Sequence, residues 1–212
     1  MSIAERKERE KELRREQIIE AAKQVFYKKG FSASTIEEIA SAAQLSPGTL
    51  YLYFKNKDDL YVSIMLNISK AFLDKLEALY NRSDLNPFQK LQSLKEVVYS
   101  IYELDPVALR NVFALQTSEG IKNLSEEISE QIILISKNII RTISKIFEDG
   151  IREKLFIEKH PIALADITWS VFSGLVIWEE SKRVFDPRKK YLKETIDLAI
   201  DIISHGVKAQ AE

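Results

Sequence analysis

Six glycines and five prolines are all the backbone punctuation in a chain of 212 residues, and that scarcity constrains the fold more than any other feature. A β-rich protein needs Gly and Pro at frequent turns, so their rarity points to long helices with few connections. The few breakers fall where helices begin and end. Pro47, Pro87, Pro106 and Pro161 stand at helix starts, where a missing N–H has no helical partner to lose. Gly30, Gly150 and Gly206 follow or end apolar-periodic segments, as left-handed stops do.

Between these marks the spacing predicts nine helices and an all-α fold. The first runs from the charged start to Lys29, with Ile18, Ala22, Val25 and Phe26 as its apolar stripe. Thr35 and Glu38 form a capping box for a short second helix that buries Ile36, Ile39, Ala40 and Ala43. Ser46 caps a third, and Asn56 caps a fourth from Lys57 to about Tyr80. Helices five and six open at Asn86-Pro87 and Asp105-Pro106. Helix seven runs from about Asn123 to Asp149. Although it is rich in β-branched residues, Ile132, Ile135, Ile139, Ile143 and Ile146 recur at intervals of three and four. His160-Pro161 opens helix eight, and Asp186-Pro187 separates it from helix nine.

Composition disfavours much chemistry. Without cysteine there is no disulfide, zinc-thiolate site or thiol nucleophile, and two histidines leave little for a metal or general base. No G-x-G-x-x-G or P-loop spacing occurs, so no nucleotide cofactor is expected. Residues 2–16 lack a signal-peptide core, and no later apolar run is read as reaching membrane-spanning length. A cytoplasmic protein with no membrane partner is expected. Net charge is −1, and a nucleic-acid partner must be argued from a local motif.

That motif is residues 35–57, TIEEIASAAQLSPGTLYLYFKNK, two capped short helices joined by a tight turn. Helices this short are marginal alone and need tertiary support, as in a helix-turn-helix. On the third helix Leu50 and Phe54 fall together on an inward side. Gly48, Thr49 and Leu52 fall outward, with Tyr51 and Tyr53 on the flanks. In a DNA major groove each gains a role: Gly48 permits close approach, Thr49 bonds a base edge or phosphate, and Leu52 meets a thymine methyl. The tyrosine hydroxyls suit phosphates, as do the helix N-termini at Thr35, Ser46 and Asn56. Lys57 opposes the dipole of its own helix, which an anionic partner explains. A tight helical corner with surface tyrosines fits the same spacing.

Residues 15–60 resemble the TetR family of bacterial transcription regulators. The resemblance lies in FYKKGF (26–31), T-x-x-x-I-A (35–40) and LSPGTLYLYFKNKDDL (45–60). It implies that Thr35, Ser46, Pro47, Gly48, Thr49, Tyr51, Leu52, Tyr53 and Lys57 touch operator DNA. It also implies a homodimer on a palindrome, released by a small molecule bound in the larger C-terminal domain. Residues 1–56 are then the DNA-binding domain and 57–212 the ligand and dimer domain, with helix four, 57–80, as connecting lever. Where some members carry a base-reading basic residue in helix two, this chain has Glu37 and Glu38. Base selection therefore falls on helix three. The run ERKEREKELRREQ (5–17) reads as a solvated extension of helix one laced with pairs such as Glu5–Arg9 and Glu10–Arg14, or as an arm in which Arg6, Lys7, Arg9 and Lys11 approach DNA.

Expected pocket residues are Met65, Phe72, Tyr99, Tyr102, Phe113, Gln116, Trp169 and Phe172, suiting an apolar or amphipathic effector. Expected dimer-interface residues are Ser170, Ser173, Gly174, Ile177, Ile196, Ile200 and Ile203, where small side chains let helices approach. Burial of both helices within one subunit fits the same pattern. The function expected is a ligand-responsive repressor, not an enzyme. The competing reading is an all-helical carrier or enzyme, which lacks a convergent nucleophile, base or metal set and leaves Tyr51, Leu52 and Tyr53 without a role.

Overall fold

The computed structural model describes residues 2–115, 124–186, 188 and 191–209. Among them are nine helices: α1 Ile3–Lys29, α2 Ile36–Ala42, α3 Pro47–Tyr51, α4 Lys57–Tyr80, α5 Pro87–Leu104, α6 Pro106–Leu115, α7 Glu126–Arg152, α8 Pro161–Phe185 and α9 Leu192–Gly206. Local chemistry sets most starts. Ser2 with Glu5, Thr35 with Glu38 and Asn86 with Gln89 form reciprocal capping boxes, each satisfying two N–H groups the helix cannot. The chain divides into two units, one of Met1–Leu66 with Glu119–Glu130 and the other of Asn67–Ser118 with Gln131–Glu212. The division falls inside α4, whose first turns supply Leu60 to the smaller unit's core.

In the smaller unit α2 packs on α1 and α3 on α2. Ile18, Ala22, Phe26, Ile36, Ile39, Ala40, Leu50, Phe54 and Leu60 form one buried cluster, with Ala43 only half-buried at its edge. Each large side chain there contributes about 1.5–3 kcal/mol by leaving water, which offsets the poor intrinsic stability of two helices of seven and five residues. Phe26, Phe31 and Tyr61 close the cluster, their ring centroids 4.6–5.6 Å apart. The turn between α2 and α3 is made without glycine. Gln44 takes the left-handed conformation at φ 56°, and the Leu45 N–H reaches back to the Ala40 carbonyl at 2.8 Å.

In the larger unit α5 packs on α9, α8 on both α6 and α9, and α5 on α6. The isoleucine-rich segment is helical as its periodicity predicts. Ile135, Ile139, Ile143 and Ile146 are buried, a regularity a strand's two-residue repeat would not produce. Two stops differ from expectation. Gly30 has φ 79° but ψ 162°, a region open to glycine yet distinct from the left-handed helix. Helix α7 continues past Gly150 to Arg152, and Lys154 takes the positive φ. Gly150 matters for packing instead, because a Cβ there would lie 2.0 Å from the Phe156 ring.

The charged start is helical from Ile3, so α1 extends beyond its packed part as a solvated rod. Its pairings are shifted from those expected: Glu5 closes the cap at Ser2, and Arg6 pairs with Glu10 at 2.9 Å.

Candidate DNA-reading surface

The third helix is only five residues long, but the chain keeps helical curvature beyond it. The N–H groups of Tyr53 and Phe54 both return to the Leu50 carbonyl, at 2.9 and 3.2 Å. The helical wheel therefore holds through residue 54. Leu50 and Phe54 are buried, whereas Leu52 is 79% exposed, Tyr51 52% exposed, and Ser46, Pro47 and Gly48 lie at the surface. Thr49 and Tyr53 are half-buried. An exposed Leu-Tyr edge over a fixed apolar base gains nothing for the free fold. Gly48 is open as well, since an added Cβ would meet only Ser46 Oγ, at 3.8 Å. Packing within the chain does not require glycine there.

Caps fix the entry to this helix. Ser46 Oγ accepts the Thr49 N–H at 3.1 Å and lies 2.8 Å from Thr49 Oγ1. Thr35 Oγ1 accepts the Glu38 N–H at 3.2 Å, and Glu38 accepts the Thr35 N–H in return. The other Glu38 oxygen pairs with Lys29. The Lys29 hydrogen bond, then the Thr35 N–H, holds the Glu38 carboxyl below its usual range. Of the two acidic residues on α2, Glu38 is thus spent within the fold and Glu37 stays exposed.

Lys57 does more inside the protein than sequence reasoning assigns to it. Its ammonium donates to the Phe31 carbonyl at 2.8 Å and the Ser34 carbonyl at 2.9 Å, and lies 4.4 Å from the Phe31 ring centroid. Two of its three donors tie α4 to the α1–α2 loop, which accounts for a cation at a helix N-terminus without an external anion. Arg15 is the residue sequence reasoning missed. Its guanidinium donates to the Tyr53 carbonyl at 2.8 Å and stacks 4.6 Å from the Phe54 ring centroid, pinning the reading turn from α1. Its place at the start of the motif was a signal, but the partner, 38 residues away, lies beyond any local spacing.

The expected pocket residues do not converge. Trp169 meets Phe72 and Phe113 edge-on, at centroid distances of 5.4 and 5.1 Å, and Phe172 is fully buried. Tyr99 and Tyr102 instead line a cleft of about 450 Å³ among α5, α6, α8 and α9 whose walls include none of those four. Met65 is buried and belongs to the smaller unit, and Gln116 lies outside the described residues.

The expected dimer surface also needs correction. Ile196 and Ile200 are wholly buried within their own subunit, and Ile203 is half-buried. The outward side of α9 carries Leu198 and Ile202, each more than 60% exposed, because residues two apart on a helix point in nearly opposite directions. On α8, Ser170, Gly174 and Ile177 are exposed and Ser173 is half-buried, beside exposed Ile167 and Trp178. Contrary to the sequence expectation, Pro161–Arg183 is long and apolar enough to cross a membrane by length and composition, with mean hydropathy 1.5 and less than a quarter of it buried.

Comparison with known proteins places this geometry. Residues 18–64 match the family described as bacterial regulatory proteins, tetR family. A curated relative, the uncharacterised HTH-type transcriptional regulator YhgD of Bacillus subtilis (strain 168), is 26% identical over 184 residues, covering 86% of this chain and 90% of its own. The fatty acid metabolism regulator protein of the same organism is 27% identical over 136 residues, 64% of this chain and 67% of its own. Among solved structures, FadR from Bacillus subtilis in complex with stearoyl-CoA has a TM-score of 0.67 at 22% identity, covering 90% of this chain and 98% of that one. The fatty acid degradation regulator FadR from Bacillus halodurans has 0.69 at 22%, covering 92% and 97%. At these identities the solved structures establish the shared fold.

Proposed function

Because this chain belongs to the TetR family of bacterial transcription regulators, we propose that it represses as a homodimer on a palindromic operator and is released by a small apolar or amphipathic effector. It is a ligand-responsive, DNA-binding regulator of transcription. The observation that carries the residue-level reading is the surface of α3: Tyr51 and Leu52 exposed, Gly48 open, and Leu50 and Phe54 anchoring them from beneath. Gly48, Thr49 and Leu52 face bases in the major groove, and Tyr51 and Tyr53 reach phosphates. Ser46 and Pro47 present the helix N-terminus, as Thr35 does for α2. Lys57 has one remaining donor for phosphate.

Residues 1–56 act as the reading domain and 57–212 as the ligand and dimer domain. The helix α4 begins at Lys57 in the smaller unit and continues into the larger one, so it is a covalent route by which ligand binding reaches the reading helix. The apolar stripe of α8, with Leu198 and Ile202 of α9, pairs with its copy in a second chain. That use explains an exposed apolar surface and a mid-helix glycine better than solvent does. The aromatic group of Phe72, Phe113 and Trp169 suits the apolar part of an effector, and the acyl ligand of one solved relative supports an amphipathic one. The chain acts in the cytoplasm on double-stranded DNA, and no catalytic role is assigned to it.

The test is titration of the purified protein with the DNA upstream of its own gene and with a scrambled duplex, at several salt concentrations. Specific binding appears as a large preference for the first duplex, with both affinities falling steeply as salt rises. Equal affinity for the two duplexes overturns the operator reading.

A further inference from the structure

The cleft lined by Tyr99 and Tyr102 lies apart from the aromatic group assigned above to the effector, and its chemistry differs. At about 450 Å³ it is of a size that holds a small organic molecule. Its aromatic walls are held in place. Tyr99 donates its hydroxyl to the Lys193 carbonyl at 2.7 Å, and Tyr102 donates to Glu180 at 2.6 Å while accepting from Arg183 at 3.0 Å. Pro106 and Leu192 add apolar surface.

The charges in the cleft are unequally spent. Arg183 is neutralised by Glu180 at 2.9 Å, and the buried Glu179 by Lys182 at 2.6 Å and the Tyr191 N–H at 2.8 Å. Glu96 and Glu103 are exposed on the lip and make no hydrogen bond or ion pair among the described residues. They stand two helical turns apart on α5, one turn to either side of Tyr99, and Glu96 acts electrostatically on the Tyr99 phenol. Lys193 already lies 5.8 Å from the Tyr99 ring centroid, so that ring attracts a cation from within the chain. Burial, then hydrogen bonding to a neighbouring carboxylate, pushes the pKa of both phenols up, that of Tyr102 to about 12, so both rings stay neutral.

We propose that this cleft is a binding site for a small amphipathic organic cation, its ammonium attracted by the exposed carboxylates of Glu96 and Glu103 and its apolar body laid on Tyr99 and Tyr102. The regulatory reading names neither this location nor a positive charge for a ligand. The site stands or falls on direct binding, without reference to DNA.

Isothermal titration of the full-length protein with phenethylamine tests it, against 2-phenylethanol and 3-phenylpropionate as neutral and anionic probes of similar shape. The expected result is that phenethylamine binds roughly tenfold tighter than either of the others. Replacing both lip carboxylates, Glu96→Gln with Glu103→Gln, is expected to remove that preference. Both positions are exposed, so circular dichroism of the double variant should match the parent. Equal binding of the three probes, no binding of phenethylamine, tighter binding of the anion, or an undiminished preference in the double variant would each overturn the proposal.

Discussion

Asp59, buried in the first turn of α4, accepts the backbone N–H of Ser125 at 2.8 Å, joining the start of α7 to the reading head. Its own N–H is capped by Asn56 Oδ1 at 2.7 Å. One carboxylate thus holds a segment 66 residues away beside the turn that carries Tyr53.

Removing that acceptor should be costly. Asp59→Ala leaves the half-buried Ser125 amide without its partner, and stability is expected to fall by about 1 kcal/mol. Asp59→Asn keeps a carbonyl oxygen in place and should recover much of the loss. Thermal melts of the two variants side by side check this. Equal melting of Asp59→Ala and the parent would mean the contact carries no stability.

Gly48→Ala should separate folding from DNA binding. The added methyl meets open space, and alanine favours helix over glycine by about 0.5–1 kcal/mol, so stability should hold or rise. Operator affinity should nevertheless drop about tenfold or more if the α3 backbone lies against DNA. Melting curves and fluorescence anisotropy on the same samples measure both. A variant that binds as well as the parent removes Gly48 from the interface.

Lys57→Met tests how far this lysine belongs to the fold. The methionine keeps an apolar stem over Phe31 but withdraws donors from the Phe31 and Ser34 carbonyls. Stability is expected to fall by about 1 kcal/mol or more, together with DNA affinity. A purely phosphate-binding lysine would lower affinity and leave the melting temperature untouched.

On α8 and α9, opposite outcomes are expected on the two sides of the helices. Gly174→Leu adds bulk where its own subunit offers no contact, so sedimentation should show monomers that keep full helicity. Ile196→Ala opens a cavity in the subunit core and should cost about 2–5 kcal/mol. If Gly174→Leu sediments as the parent does, this side of α8 is not the dimer surface.

At the end of α7, Gly150→Ala drives a methyl into the Phe156 ring. Overpacking of this kind costs about 1–3 kcal/mol, a drop of several degrees in melting temperature at this size. Pairing it with Phe156→Leu, which makes room, should recover part of the loss.

Caps and helix starts were legible because they are local. Thr35 with Glu38, Ser46 before Pro47 and Asn86 before Pro87 are patterns of near neighbours, so the sequence pattern and the helix start coincide. The inward and outward sides of α3 were legible for the same reason, since a single helical turn relates Leu50 to Phe54. The α2–α3 turn was less so, because Gln44 occupies a position that usually announces itself as glycine.

What the sequence alone determined was the class of fold, the nine helices among the described residues and, on α3, the outward Gly48 and Leu52 over an inward Leu50 and Phe54, whereas Thr49, expected outward, is half-buried. Periodicity and capping are properties of neighbours along the chain. Tertiary structure decided the rest: that Lys57 ties α4 to the α1–α2 loop and Arg15 holds the turn after α3, that Gly150 is a packing residue, that Ile196 and Ile200 point inward while Leu198 and Ile202 do not, and that the aromatic candidates divide between two places. Each of these depends on which distant segment packs against a given side of a helix. An apolar stripe on a helix states only that something covers it, and the packing partners decide what.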